Sequence, residues 1–394
     1  MVLHIHEAQS LFVHHVVHSF GDAGIPSKHV LIGKTKNTGK QSDLTSYIQI
    51  GSDEYHQLIQ ELVPQYSLVL FHGLINTCEK TLKDLLKTKY KKPPVVWVMF
   101  GTEIQNWKIF PSHFLDRKTR ILYYTLLPYR VLVPLYRLLL RIYSGSWKQR
   151  LQSLDYIAHF IPGDLDFIYK HTGVNKPMLW HTYFILEHIV DQSMRECTLT
   201  HARDILIGNS ASFTSNHIEA FDILKEMSLT DRKIVVPLSY GNKTYRKFVL
   251  KKGAEYFGHQ FCGLTDFMPK EDYHGTLLNC SVMILNQNRQ QAIGNLLFAA
   301  WAGMRIYLRK DTSTFQYFKE KGLNLYSIED DLNKENPVVF EPLNPAEIKQ
   351  NREVLTTIFG RENVIAKLRE AFMPFLEDKH RITSNTDLHT PETP

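Results

Sequence analysis

Cysteine is scarce in this chain. There are four in 394 residues (Cys78, Cys197, Cys262 and Cys280), far apart and with no C-x-x-C pair. That spacing supports neither a structural zinc site nor a disulfide framework, and it fits a reducing compartment. No phosphate-binding P-loop and no G-x-G-x-x-G stretch occurs, so nucleotide hydrolysis and ordinary dinucleotide binding have no signature. The start, Met1-Val-Leu-His-Ile-His6, has no basic region before an apolar core and is not read as a signal peptide. Long hydrophobic runs are missing too. The longest, Tyr123 to Tyr143, is broken by Arg130, Arg137, Pro128 and Pro134, whereas a spanning helix wants about 20 apolar residues with few charges. Such a segment lies on a membrane rather than across it.

Apolar residues make up 43% of the chain and charged residues 22%, enough to bury sizeable cores, and the length suggests at least two domains. In the first half, apolar segments alternate with helical ones. Strands are expected at Val2–Ile5, Val30–Ile32, Tyr66–Phe71, Pro94–Phe100, Phe160–Asp164 and Met178–Phe184, and helices at Glu54–Leu62 and Glu79–Thr88. Alternation of this kind predicts a parallel sheet with flanking helices. Polar groups follow glycine-bearing strand ends at His72-Gly73 and Gly101-Thr102-Glu103, and Asp164 stands at a comparable end. In a parallel sheet such ends share one crevice. The plainer readings are a turn glycine and a solvated first-turn acid. Among the many early histidines only His14 and His18 have helical i, i+4 spacing, with no Glu between them, so no metal is expected.

Residues 117–150 hold eight Lys/Arg and no acid. On an ideal helix Arg130, Arg137 and Arg141 share one face, opposite Leu132, Leu135, Leu139 and Ile142, with tyrosines and Trp147 at the flanks. A basic amphipathic helix with aromatic flanks suits an anionic membrane surface. The competing reading is an inter-domain helix whose arginines pair with acids elsewhere. No nucleic-acid-binding module is present.

The second half opens with Asp204-Ile-Leu-Ile-Gly-Asn-Ser210, an apolar run ending in a glycine turn. Asn216 and Glu219 have capping-box spacing. Further strands are expected at Lys233–Leu238, Phe261–Met268, Ser281–Leu285, Arg305–Leu308 and Leu323–Ile328, with helices at Thr244–Lys252, Pro269–Asn279 and Pro345–Leu376. The most informative stretch is the polar loop after Leu285, which opens a helix carrying Gly294 and Asn295. Free N–H groups at a helix start suit a phosphate, and Arg289 offers a fork for phosphate oxygens. Gly208, Asn209 and Ser210 with Gln287, Arg289, Gln290, Gln291, Gly294 and Asn295 are therefore candidate donor-binding residues. Tyr240 is a candidate for stacking on a base or sugar. Two α/β lobes with a cleft between them suit a transferase holding a nucleotide-linked donor on one lobe and an acceptor on the other.

Three ordered motifs carry a resemblance: Ile205-Leu-Ile-Gly-Asn-Ser210 with Ser215-Asn-His-Ile218, then Val235-Val-Pro-Leu-Ser-Tyr-Gly241, then Arg289-Gln-Gln-Ala-Ile-Gly294. Together they resemble the bacterial 4-acetamido-4,6-dideoxygalactosyltransferases (4-alpha-L-fucosyltransferases) of enterobacterial common antigen synthesis. The resemblance covers about residues 203–310 and is fainter in the first half, at Phe71-His72-Gly73 and Trp97 to Glu103. It implies the GT-B architecture of two Rossmann-like lobes, a dTDP-sugar donor, an undecaprenyl-diphosphate-linked glycan acceptor, and a peripheral place on the cytoplasmic face of the inner membrane; separately, no cofactor or metal is expected at the donor site. The chain departs from the family pattern at Ala292, where the loop has glycine, and at Glu103, where it has aspartate. Glu103, His72 and Asp164 are the candidates for the base that deprotonates the acceptor. The expected division is an acceptor and membrane-facing lobe over 1–186, a linker over 187–203, a nucleotide-sugar lobe over 204–378 and a disordered tail over 379–394. The alternatives are a non-catalytic sugar-nucleotide or glycan-binding partner and a sugar-nucleotide epimerase.

Overall fold

A computed structural model describes residues 1–10, 12–34, 45–101, 103, 113–126, 148–190, 194, 199 and 201–377. The basic face of Arg130, Arg137 and Arg141 and the 379–394 tail lie outside the described residues. The chain forms two compact units, each gathered from separate segments: 1–103, 142–185 and 361–394 in unit 1, and 104–141 with 186–360 in unit 2.

Unit 1 is built on a seven-stranded parallel sheet. Its strands are β1 (Val2–Glu7), β2 (Ser27–Gly33), β3 (Thr45–Gln49), β4 (Leu68–His72), β5 (Val95–Val98), β6 (Tyr156–His159) and β7 (Met178–Trp180), in the order β3-β2-β1-β4-β5-β6-β7. The chain winds outward from β1 in one direction, then returns and winds outward in the other. The reversal falls between β1 and β4, where doubly wound sheets bind ligands at their carboxyl ends. The strands read as nearly continuous apolar runs because helices cover both faces. Strand β3 escaped the sequence reading, since Thr45-Ser-Tyr-Ile-Gln49 is polar and half-buried. The strand expected at Phe160–Asp164 lies earlier, at β6. Pro162 is acceptable in a first helical turn, where no N–H is needed, so it opens the helix Pro162–Thr172 and carries Asp164 into that turn.

Unit 2 carries a six-stranded parallel sheet of β8 (Asp204–Ile207), β9 (Ile234–Pro237), β10 (Phe261–Leu264), β11 (Cys280–Leu285), β12 (Arg305–Leu308) and β13 (Tyr326–Ser327). Their order is β10-β9-β8-β11-β12-β13. Here the reversal falls between β8 and β11, which brings the two glycine-bearing loops of the sequence motifs side by side.

Two segments join the unit they are not nearest in sequence. The C-terminal helix Arg361–Phe372 sends Val364, Leu368 and Phe372 into the unit 1 core with Val2, Val16 and Phe20, so the expected 204–378 lobe ends earlier. The helix Arg117–Leu126 packs Leu122, Tyr123 and Leu126 against the unit 2 core. Its Lys118 pairs with Asp222 at 2.6 Å, and Thr119 donates to Glu219 through both its N–H and its hydroxyl. That occupies Glu219, so the expected capping box is not formed. Asn216 instead adopts a left-handed conformation and spends its side-chain amide on the carbonyls of Phe114 and Asn286. Among the described residues no helix is long and apolar enough to cross a membrane.

Candidate functional site

Gly208 follows β8 at φ +66°, and a side chain there would meet His217 Nε2 at 2.8 Å, so this position asks for glycine. Gly241, after β9, is tighter. Its φ is +115°, and a Cβ would lie 2.6 Å from the backbone of Ala211, with which it forms a lone β-bridge. The two turns thereby hold the β8 and β9 loops together.

Between them the polar candidates form one connected set. Asn209 accepts from Gln287 Nε2 at 3.3 Å and Gln291 Nε2 at 2.6 Å, and donates to the Tyr240 hydroxyl at 2.8 Å. Thr214 donates to Gln291 Oε1 at 2.8 Å and accepts from Arg289 Nη2 at 3.2 Å, and Arg289 Nη1 donates to the Gln290 carbonyl at 2.8 Å. Asn209, Ser210, Gln287 and Arg289 are buried, whereas Tyr240 leaves 57% of its surface open. A buried, always-charged guanidinium and a row of amides at a sheet reversal make a polar floor with an aromatic rim. Such a floor can take a diphosphate and a flat ring. Asn295 lies apart, donating to Tyr273 at 2.9 Å from the first turn of the helix Ile293–Ala302, in which Gly294 also stands.

Ala292 precedes that helix at φ 60°, ψ 28°, a left-handed conformation that costs an L-residue about 1–2 kcal/mol. This is the position where the resembling family has glycine. Because glycine loses about 0.5–1 kcal/mol more entropy on folding, Ala292→Gly is expected to stabilise unit 2 by about 0.5–1 kcal/mol. A urea midpoint that stays put or falls would show that the loop is not strained.

Beneath the loop lies a network that sequence reasoning missed. Asp116 accepts from Asn288 Nδ2 at 2.8 Å and from Arg309, whose Nε donates to Asn286 Oδ1 at 2.6 Å. Asn288 and Arg309 stand 172 and 193 residues from Asp116 in the chain, and no local signal links them.

In unit 1 the three base candidates have different surroundings. Glu103 is 1% exposed. One carboxylate oxygen accepts the Leu74 N–H, and the other accepts Trp97 Nε1 at 2.9 Å and the Phe100 N–H at 2.7 Å. Burial pushes its pKa up to about 8 against the pull of those three donors. The carboxylate ties the β4 and β5 loops together, and Gly73, at φ +91°, leaves room for it.

His72 belongs to a stack of four imidazoles. Strand register sets His4 opposite His29 and His6 opposite His72. His4 Nδ1 and His72 Nε2 are 2.9 Å apart, and His6 Nε2 and His29 Nδ1 are 3.2 Å apart. These two pairs lie on one another, with ring centroids 4.1 Å apart for His6 and His72 and 4.3 Å apart for His4 and His29. Ser27 donates its hydroxyl to the Ile25 carbonyl, so its oxygen accepts from His4 Nε2. That fixes His4 Nδ1 as acceptor of the His72 proton, and His72 Nδ1 as acceptor from the Tyr183 hydroxyl at 3.0 Å. Burial, then the neighbouring histidines, hold His72 well below the ordinary imidazole pKa. One ring nitrogen from each of His4, His6 and His72 lies within 4.8 Å of the others. The lone pairs of near-parallel stacked rings do not converge on one point, however, and the arrangement is that of neutral, mutually hydrogen-bonded rings.

Asp164 accepts from His159 Nε2 at 2.8 Å, with both side chains buried. Asp164-Leu165-Asp166 does form an Asp-x-Asp spacing, the pattern of metal-bridged diphosphate sites. The helix turns Asp164 inward and leaves Asp166 exposed, so the two do not present a joint carboxylate pair.

Residues 149–342 match the family model of the 4-alpha-L-fucosyltransferases, glycosyl transferase group 56. The fold is shared with the sucrose-phosphate synthase of Thermosynechococcus elongatus (TM-score 0.64, 10% identity, covering 96% of this chain and 99% of that one). It is also shared with HepE of Anabaena in complex with UDP and glucose (0.61, 8%, 95% and 100%) and with the lipopolysaccharide outer core galactosyltransferase WaaB (0.58, 12%, 95% and 99%). The architecture is GT-B, and the resemblance read from the three motifs is borne out.

Proposed function

We propose that this hexosyltransferase, matched by the group 56 family, moves a 4-acetamido-4,6-dideoxyhexose from its dTDP-sugar to an undecaprenyl-diphosphate-linked glycan. The reaction would take place at the cytoplasmic face of the inner membrane, in surface polysaccharide synthesis of the enterobacterial common antigen or O-antigen kind. The observation that carries the reading is the coincidence of the family match with the Asn209–Gln291–Arg289 floor at the β8/β11 reversal. Arg289 and the amides would hold the diphosphate, and Tyr240 would border the base. The HepE structure holds UDP and glucose on the same fold, which supports a nucleotide-sugar as the donor.

A membrane-bound acceptor is supported by the outer face of Arg117–Leu126. Arg117, Arg120, Ile121 and Tyr124 are exposed there, at the spacing of one helical stripe. Two guanidiniums beside an aliphatic and an aromatic side chain suit an anionic lipid surface. Other cations of the 117–150 segment are engaged within the protein: Lys118 by Asp222, and the buried Arg150 by Glu79 at 3.1 Å.

The test is a nucleotide-release assay with a panel of dTDP-, UDP- and GDP-sugars, with and without lipid-linked acceptor, in excess chelator. The expected result is acceptor-dependent dTDP release that survives chelation. Turnover of the nucleotide-sugar without acceptor would indicate an epimerase. Nucleotide binding with no release from any donor would indicate a binding partner that is not an enzyme.

A further inference from the structure

Of the three residues the sequence offers as acceptor base, two are held by hydrogen bonds inside unit 1. Glu103 has both oxygens bonded to the Leu74, Trp97 and Phe100 donors. His72 has one nitrogen on Tyr183 and the other on His4. The third, Asp164, is spent on a neighbour that sequence reasoning did not single out. Its Oδ2 accepts the proton of His159 Nε2, which places the lone pair of that imidazole on Nδ1. Among the described residues no hydrogen bond engages Nδ1. His159 is the last residue of β6, at the carboxyl edge of the sheet, and Asp164 sits in the first helical turn, where the helix dipole favours a carboxylate. Among the described residues, a titratable group beside this pair is His181, which follows β7 and whose backbone N–H donates to the His159 carbonyl.

We propose that His159 is the base of the transfer reaction and that Asp164 is its positioning residue, an assignment that rests on the glycosyl-transfer reading above. The acceptor hydroxyl gives its proton to His159 Nδ1 while its oxygen forms the bond to the anomeric carbon of the donor. The bond from that carbon to the diphosphate oxygen breaks, and its electron pair leaves with the nucleoside diphosphate. Asp164 holds the ring in the tautomer that can accept a proton and stabilises the imidazolium that results.

The experiment compares wild type, His159→Ala, His159→Gln and Asp164→Asn, using the donor and lipid-linked acceptor identified by the sugar panel. Both His159 variants should bind dTDP as wild type does by calorimetry, with kcat lower by about 100-fold or more. The acidic limb of the kcat pH profile should also be lost. Asp164→Asn should lower kcat with little change in acceptor KM and move that limb. His159→Gln preserves volume and carries the test if His159→Ala fails to fold. Activity within threefold of wild type in His159→Gln, or an unchanged acidic limb, would overturn the assignment. If wild type itself released nucleotide from no donor, the glycosyl-transfer reading would have failed at the earlier step, before any variant was compared.

Discussion

Replacing Glu103 by alanine is expected to destabilise unit 1 by roughly 3–9 kcal/mol, because it strands three N–H donors, two of them buried and one partly buried, at about 1–3 kcal/mol each. The donors belong to Leu74, Phe100 and the fully buried Trp97, so water cannot replace the carboxylate without entering the core. Against a total stability of about 5–15 kcal/mol for a domain, that loss is large enough to leave unit 1 partly unfolded at 37 °C. Urea denaturation should show it, and a midpoint within about 0.5 kcal/mol of wild type, where exposed substitutions fall, would refute the structural role. A pH signature accompanies it. The pKa of this carboxyl is raised from 4.5 to about 8, so between those values the folded chain binds a proton that the unfolded chain has released. Stability should therefore fall as pH rises through that window and level off above it. Glu103→Gln, which cannot titrate, should lack this slope even though its amide meets one N–H head-on and costs stability at every pH.

Arg289→Ala is expected to lower kcat/KM for the nucleotide-sugar by about 10²–10³, the usual effect of losing one charged donor to a developing anion. The guanidinium is already oriented by Thr214 and Gln290, so little ordering remains for binding. Arg289→Lys should recover only a small part, since an ammonium cannot reproduce the planar fork. Calorimetry with dTDP separates the roles. Loss of dTDP affinity together with kcat/KM places Arg289 on the diphosphate, whereas a kcat/KM within threefold of wild type would remove it from the site.

The donor loops were legible in the sequence because their signals are local. An apolar run that stops at Gly208, or that breaks into Gln287 to Asn295, announces a strand end whatever surrounds it. Alternation of strands and helices then predicts a parallel sheet, and parallel strands put their loops on one edge. The same locality explains the misplacements. Phe160-Ile161 is apolar enough to pass for a strand, yet Pro162 suits a first helical turn and moves Asp164 into it. Asn216 and Glu219 have capping-box spacing, but tertiary partners at Phe114, Asn286 and Thr119 took both side chains.

By itself, the sequence determined which residues end strands, which segments are amphipathic, and which three motifs carry the resemblance that the family model matches. Only the tertiary structure decided which of those ends hold one another: Asn209 against Gln291, His72 against His4 and Tyr183, His159 against Asp164, Asp116 beneath the donor loop. Burial and hydrogen-bond pairing depend on how the whole chain folds, which brings together residues as far apart in sequence as Asp116 and Arg309, 193 positions. A carboxylate at a strand end is therefore a base or a structural tie according to the donors that the fold sets around it.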